Sequence, residues 1–190
     1  MNLKIGVMGS ASSRLSKKYM DIAYRLGSAI AKNNCITVTG ACPGLPLAAA
    51  NGAKDAGGLV VGISPALSIW EHRHKYHSPT EHHDILIFTG NGLMGREVVN
   101  IRSSDIVIVI GGRSGTLGEF SIAYDEGKLI GALLGTDGIT SEISDLVKLI
   151  KKKTGAKIIY DNDPDRLVEK LLQYYNTKHY KRPSCFHAEG

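Results

Sequence analysis

The run Ile106-Val107-Ile108-Val109-Ile110 is five β-branched residues leading directly into Gly111-Gly112-Arg113-Ser114-Gly115-Thr116-Leu117-Gly118-Glu119. Branching at Cβ favours extended backbone, and a strand with no polar residue in alternation has both faces covered. The glycines end the strand, and the apolar periodicity after them opens a helix. A strand, a glycine-rich turn and a helix start in succession bring backbone N–H groups together where the helix dipole favours negative charge. The turn therefore reads as a phosphate cradle of Gly111, Gly112 and Gly115, with Ser114 and Thr116 as added hydroxyl donors. Glu119 lies one turn further on. A carboxylate there repels a phosphate placed beside it, so Glu119 should face another part of a ligand or make a capping contact.

The rest of the chain repeats this alternation. Strand-like segments at 3–8, 35–38, 59–63, 84–88, 105–110, 129–134 and 157–160 are separated by helical periodicities at 17–33, 45–56, 93–103, 115–126, 143–151 and 165–175. Hydrophobic strands alternating with helices predict a doubly wound α/β fold, a mostly parallel sheet with helices on both faces. A chain of 190 residues with 43% hydrophobic content has one substantial core. We expect a single domain over 1–176, followed by a basic tail at 177–190.

Ligands of such sheets bind beyond the carboxyl ends of the strands. Three loops there carry small and hydroxylated residues: Gly9-Ser10-Ala11-Ser12-Ser13, Thr39-Gly40-Ala41-Cys42-Pro43-Gly44, and the Gly111 turn. Gly9, Ser10, Gly40 and Gly44 thus join the candidate ligand residues. The first loop lacks GxGxxG, which argues against a nicotinamide or flavin dehydrogenase.

Charge and composition exclude other classes. The net charge of +5 and pI near 9.1 owe much to Lys151-Lys152-Lys153 and to Lys178, Lys181 and Arg182, away from the glycine turns. No aromatic-interleaved basic motif accompanies the glycine turns, so nucleic acid is not expected as a partner. No apolar run reaches membrane-span length and no signal segment opens the chain, so a cytoplasmic protein is expected. Cys35, Cys42 and Cys185 are odd in number and far apart, which predicts reduced thiols rather than disulfides or a zinc ribbon. Cys42 reads as a small buried filler or a reactive thiol. The segment 71–84 holds five of the seven histidines but no metal-ligand spacing, and no metal site is assigned. It reads as a long polar connection able to act as a lid, with Trp70 anchoring it to the core or stacking on a ligand ring.

Val38-Thr39-Gly40-Ala41-Cys42-Pro43-Gly44-Leu45, Gly57-Gly58-Leu59-Val60-Val61-Gly62-Ile63-Ser64-Pro65, Arg96 ahead of Asp105, and the GG-xx-GT-xx-E turn together resemble the LONELY GUY (LOG) superfamily. The resemblance runs from about Lys4 to Tyr160 and implies a Rossmann-like fold. Gly-Thr-Leu-Gly-Glu and the following Ala-Tyr-Asp-Glu-Gly-Lys are similar to a branch that includes molybdenum-cofactor carrier proteins. By the hydrolase pattern, Gly111, Gly112, Gly115 and Thr116 would hold the 5′-phosphate of a nucleoside monophosphate, and Arg96 and Glu119 would take the catalytic positions. N-glycosidic hydrolysis develops positive charge on the ribose, which a carboxylate such as Glu119 stabilises. Arg96 would anchor an oxygen-rich part of the ligand or fix that carboxylate.

The chain departs from the hydrolase pattern at Ile110, where proline is usual, in the extra turn residue of Arg113-Ser114, at Gly118, where an acidic residue is common, and at Glu97, where lysine is usual. The leading expectation is LOG-like hydrolysis of a nucleoside 5′-monophosphate with no required cofactor. The alternative is a non-catalytic carrier with molybdenum cofactor or a related phosphorylated pterin as cargo. In both, the partner is a small phosphorylated metabolite. The resemblance also implies a homo-oligomer, a dimer or higher, joined through the helices at 93–103 and 115–126.

Overall fold

A computed structural model describes residues 1–12 and 14–179. Its strands are β1 (Lys4–Gly9), β2 (Ile36–Thr39), β3 (Val60–Ser64), β4 (Ile85–Phe88), β5 (Ile106–Ile110), β6 (Leu129–Leu133) and β7 (Lys157–Asp161). They form one sheet in the order β4-β3-β2-β1-β5-β6-β7, and every neighbouring pair is parallel.

The alternation within β5 explains its composition. Ile106, Ile108 and Ile110 point, with Ile5 and Val7, into a core closed by α1 (Lys17–Lys32), α2 (Leu45–Asp55) and α7 (Pro164–Tyr174). Val107 and Val109 point the other way, against Ile101 of α4 (Gly92–Arg102), Phe120 and Ala123 of α5 (Ser114–Asp125) and Ile143 of α6 (Ile143–Ile150). All five are fully buried. At roughly 1.5–3 kcal/mol for each buried aliphatic side chain, the strand is a principal anchor of both layers.

The chain runs outward from β1 through β2 and β3 to the edge strand β4, then returns to place β5 on the other side of β1. The carboxyl ends of β1 and β5 therefore diverge into loops on opposite sides. This is the topological switch point at which open α/β sheets leave a crevice.

The segment after β3 differs from the expected polar loop. It contains a short helix, α3 (Ile69–His74), capped by the Ser68 hydroxyl accepting from the Glu71 N–H. His72 is fully buried. Its Nε2 lies 2.9 Å from the Pro79 carbonyl and must donate to it, leaving Nδ1 to accept from the Ser64 hydroxyl at 2.8 Å. His83 meets the Thr39 hydroxyl at 3.1 Å. Two histidines thus staple the connection to the sheet, and the lid expectation is corrected. Trp70 is two-thirds exposed and tilted against His74, so it anchors nothing in the core. Among the described residues no three His, Cys, Asp or Glu side chains converge as a metal site. No described helix is long and apolar enough to cross a membrane. Ser13, Cys185 and the tail from position 180 lie outside the described residues.

Candidate functional site

A cavity of about 420 Å³ opens at the switch point. Gly9, Ser10, Ala11 and Ser12 after β1 form one wall, Gly40 and Cys42 after β2 another, and the facing ends of α4 and α5 complete it. Because β5 passes into α5 with only Gly111, Gly112 and Arg113 between them, the first turn of α5 points at this cavity. Helix starts leave N–H groups without an intrahelical acceptor, and Arg113 at the N-cap supplies no side-chain cap. Gly115 and Thr116, within that turn, line the cavity. The local field and the available donors suit an anion.

At the floor lie Arg96 of α4 and Glu119 of α5, with Arg96 Nη1 3.7 Å from Glu119 Oε1 and both side chains more than nine-tenths buried. That separation gives attraction without the close hydrogen bond of a tight pair. Arg96 Nε is also buried without a hydrogen-bond partner. The guanidinium reaches this place because position 40 has no side chain: a Cβ there would stand 1.7 Å from Arg96 Nη1. Burial pushes the Glu119 carboxyl up to about 7; Arg96 opposes the rise and the neighbouring Glu97 adds to it. Glu119 therefore changes charge near neutral pH, as a proton donor or acceptor at a working site does.

Two neighbours modify the electrostatics. Glu97 is buried, which raises its carboxyl, and its oxygens face the first turns of α5, 3.6 Å from a Cβ placed at Gly115 and 2.9 Å from one at Gly118. Gly118 is the position where the hydrolase pattern commonly carries an acid, and here the space is filled by Glu97 from α4. Cys42 lines the cavity, but burial pushes its thiol up to about 11, so it is a protonated filler and not a nucleophile at neutral pH.

The model of the SLOG cluster4 family matches residues 2–168. The chain belongs to that family. An uncharacterized protein of Archaeoglobus fulgidus is 37% identical over 131 residues, which is 69% of this chain and 80% of that protein. Among solved structures, the molybdenum cofactor binding protein of Rippkaea orientalis is similar at a TM-score of 0.76 and 28% identity, over 93% of this chain and 99% of that one. The molybdenum cofactor carrier protein of Chlamydomonas reinhardtii is similar at 0.72 and 28%, over 90% and 99%. The LOG-like Rossmann resemblance read from the glycine motifs agrees with both kinds of comparison.

In this SLOG fold, Gly9, Ser10, Gly40, Arg96, Gly115, Thr116 and Glu119 all border the one cavity. Gly44, Gly111, Gly112 and Ser114 do not. Gly44 caps α2 at φ 79°, where a Cβ would stand 2.3 Å from the Ser10 carbonyl; the next N–H, of Leu45, donates to that carbonyl at 2.9 Å and fixes the first loop. Gly111 is held by threonines beyond β6, its N–H donating to Thr136 Oγ1 at 2.9 Å and its carbonyl accepting from Thr140 Oγ1 at 2.8 Å. Its amide is engaged inside the protein. Gly112 borders a neighbouring cavity, and Ser114 sits exposed at the start of α5. Arg96 does not lie on the solvated face of α4: it is buried and turned inward to Glu119. Sequence reasoning missed Ser12, Leu93 and Arg113 as lining residues and Thr136 and Thr140 as the turn's supports. A threonine after a strand carries no motif that could have revealed the last two.

Proposed function

We propose that the cleft binds a phosphate-bearing heterocyclic metabolite, with its phosphate at the first turn of α5 and a polar edge of the ligand on Arg96 and Glu119. The observation that carries this is that the α5 start and the incompletely paired Arg96–Glu119 couple open into one 420 Å³ cavity, within the size range of small-molecule sites. The chain serves as a carrier whose cargo is a phosphorylated pterin of the molybdenum-cofactor kind. This use is supported by the two similar proteins named for molybdenum cofactor binding or carriage, and by Glu97 standing where the hydrolase pattern has a second cation. No resident cofactor enters the proposal.

One observation favours a second reading, LOG-like hydrolysis of a nucleoside 5′-monophosphate: a carboxyl pushed up to about 7 at the floor of the cleft. In that reaction water adds at C1′ of the ribose, the N-glycosidic bond breaks, the base leaves with a proton, and ionised Glu119 stabilises the cationic sugar. Incubation with a panel of nucleoside monophosphates separates the two uses. Under the carrier reading ligands bind and no free base appears by chromatography. If base is released, Glu119→Gln should lower turnover on the order of 100-fold, the scale of losing one electrostatic stabiliser of the transition state.

The working form is a homo-oligomer built from second copies of this chain. Edge strand β4 exposes Ile85, Ile87 and Phe88, and the adjoining start of α4 exposes Leu93 and Met94. Exposed large apolar side chains on an edge strand and the helix that follows it mark interaction sites on soluble proteins. Leu93 also lines the cleft, so a copy seated here borders the ligand. Light scattering should give at least a dimer mass, and Met94→Glu should shift it toward the monomer.

A further inference from the structure

Beside the cleft lies a second cavity of about 320 Å³, between the loop after β1, the turn before α5 and the loop after β6. Ser10, Ser12 and Arg113 line both cavities, so the two are compartments on either side of one thin partition. The partition stands at the switch point, where a crevice accepts a ligand lying across the diverging ends of β1 and β5.

The second compartment has its own chemistry. Arg14 and Arg113 border it, both exposed, and among the described residues neither has a carboxylate within ion-pair distance. Arg25, Arg96, Arg102 and Arg166 each have at least one, and Arg73, which also has none, does not border this cavity. Two uncompensated guanidiniums at one opening suit a phosphoryl group, which arginine meets with paired N–H donors. Asp137 lines the far side and offers acceptors suited to sugar hydroxyls. The floor between them is rigid: the Ile139 N–H donates to the Gly112 carbonyl at 3.0 Å, and Thr136 and Thr140 hold Gly111.

We infer that this compartment is a second subsite for an additional phosphoryl-linked, hydroxylated group, and that the full ligand is an extended, pyrophosphate-bridged molecule and not a monophosphate alone. The first phosphate lies at the α5 turn, the bridge passes over the Ser10–Arg113 partition, and the second phosphoryl group meets Arg14. This rests on the reading of the main cleft as a phosphate site.

The test measures binding by isothermal titration for two pairs of probes, AMP against ADP-glucose and GMP against GDP-mannose, on wild type and Arg14→Ala. Arg14 is exposed, has no ion-pair partner among the described residues and does not line the main cleft, and circular dichroism and thermal melting verify the variant's fold. At least one extended probe should bind about tenfold or more tighter than its monophosphate. Arg14→Ala should erase that gain while changing monophosphate affinity less than twofold. Monophosphate binding with no gain for either extended probe, or a gain that survives Arg14→Ala, overturns the second subsite alone. Absence of binding by all four probes overturns this inference and the reading of the main cleft as a site for nucleoside phosphates.

Discussion

Asp161 and Glu119 are both carboxylates buried beside the same parallel sheet, yet their surroundings push them in opposite directions. Asp161 ends β7 with its side chain 3% exposed. It accepts from Arg166 Nε at 2.8 Å, from Arg166 Nη2, from Lys170 Nζ at 2.7 Å and from the Asp163 N–H at 3.0 Å. Those donors hold its carboxyl well below the usual carboxylate range. Glu119 is nearly as buried, but its cation stands 3.7 Å away and its carboxyl rises to about 7. Asp161 is a finished clasp between β7 and α7, whereas Glu119 is a charge the fold leaves incompletely compensated, facing a cavity. Burial alone does not single out a candidate working carboxylate; burial with too few donors to offset it does.

The largest expected effect comes from breaking the weaker pair. Arg96→Met should reduce affinity for a phosphate-bearing heterocycle by about 100-fold or more, because it removes the cation and leaves Glu119 unopposed. It should also cost about 3 kcal/mol of stability at pH 8.5, the scale for stranding one member of a buried pair, and clearly less at pH 6. The sign follows from linkage: without Arg96 the folded Glu119 binds its proton more tightly than the unfolded chain does, so stability falls as pH rises above the ordinary glutamate range. Urea denaturation at the two pH values measures this. A cost equal at both would mean that Arg96 does not act through Glu119.

A smaller and opposite outcome is expected at the clasp. Asp161→Asn should lower stability by about 1–3 kcal/mol through lost charged hydrogen bonds, a fall in Tm of several degrees, while ligand affinity stays within twofold. In the wild type this carboxylate's contribution is fully present above the unfolded value near pH 4 and is lost as pH falls through its depressed folded value. Thermal melts and titration calorimetry on one preparation test both halves.

What the sequence disclosed follows the same division between completed and uncompleted structure. The strands were legible because a run such as Ile106–Ile110 cannot be stable with either face in water. The cavity was legible in outline because three glycine-bearing loops fall on one sheet edge. What each glycine does there was not. Gly111 and Gly115 read alike in the chain, yet Thr136 and Thr140 engage the backbone of Gly111, while Gly115 lines the cavity. The six-residue helix α3 was hidden for a related reason: its burial comes from His72 reaching Ser64 and Pro79, and no local periodicity records such contacts. Arg96 was legible only through the family pattern, because the space it enters exists only where β2 leads into Gly40, and no local periodicity of α4 records that.

The central claim is tested most directly by intact mass spectrometry, under non-denaturing conditions, of the protein purified from its own cells beside Gly115→Val prepared identically. A Cβ at position 115 makes only ordinary contact with Glu97, so the variant should fold, while its branched side chain obstructs the α5 turn at which the phosphate is placed. The account predicts a phosphorus-containing heterocycle bound to the wild type and absent from the variant. A bound molecule without phosphorus, or equal occupancy in both proteins, would contradict it.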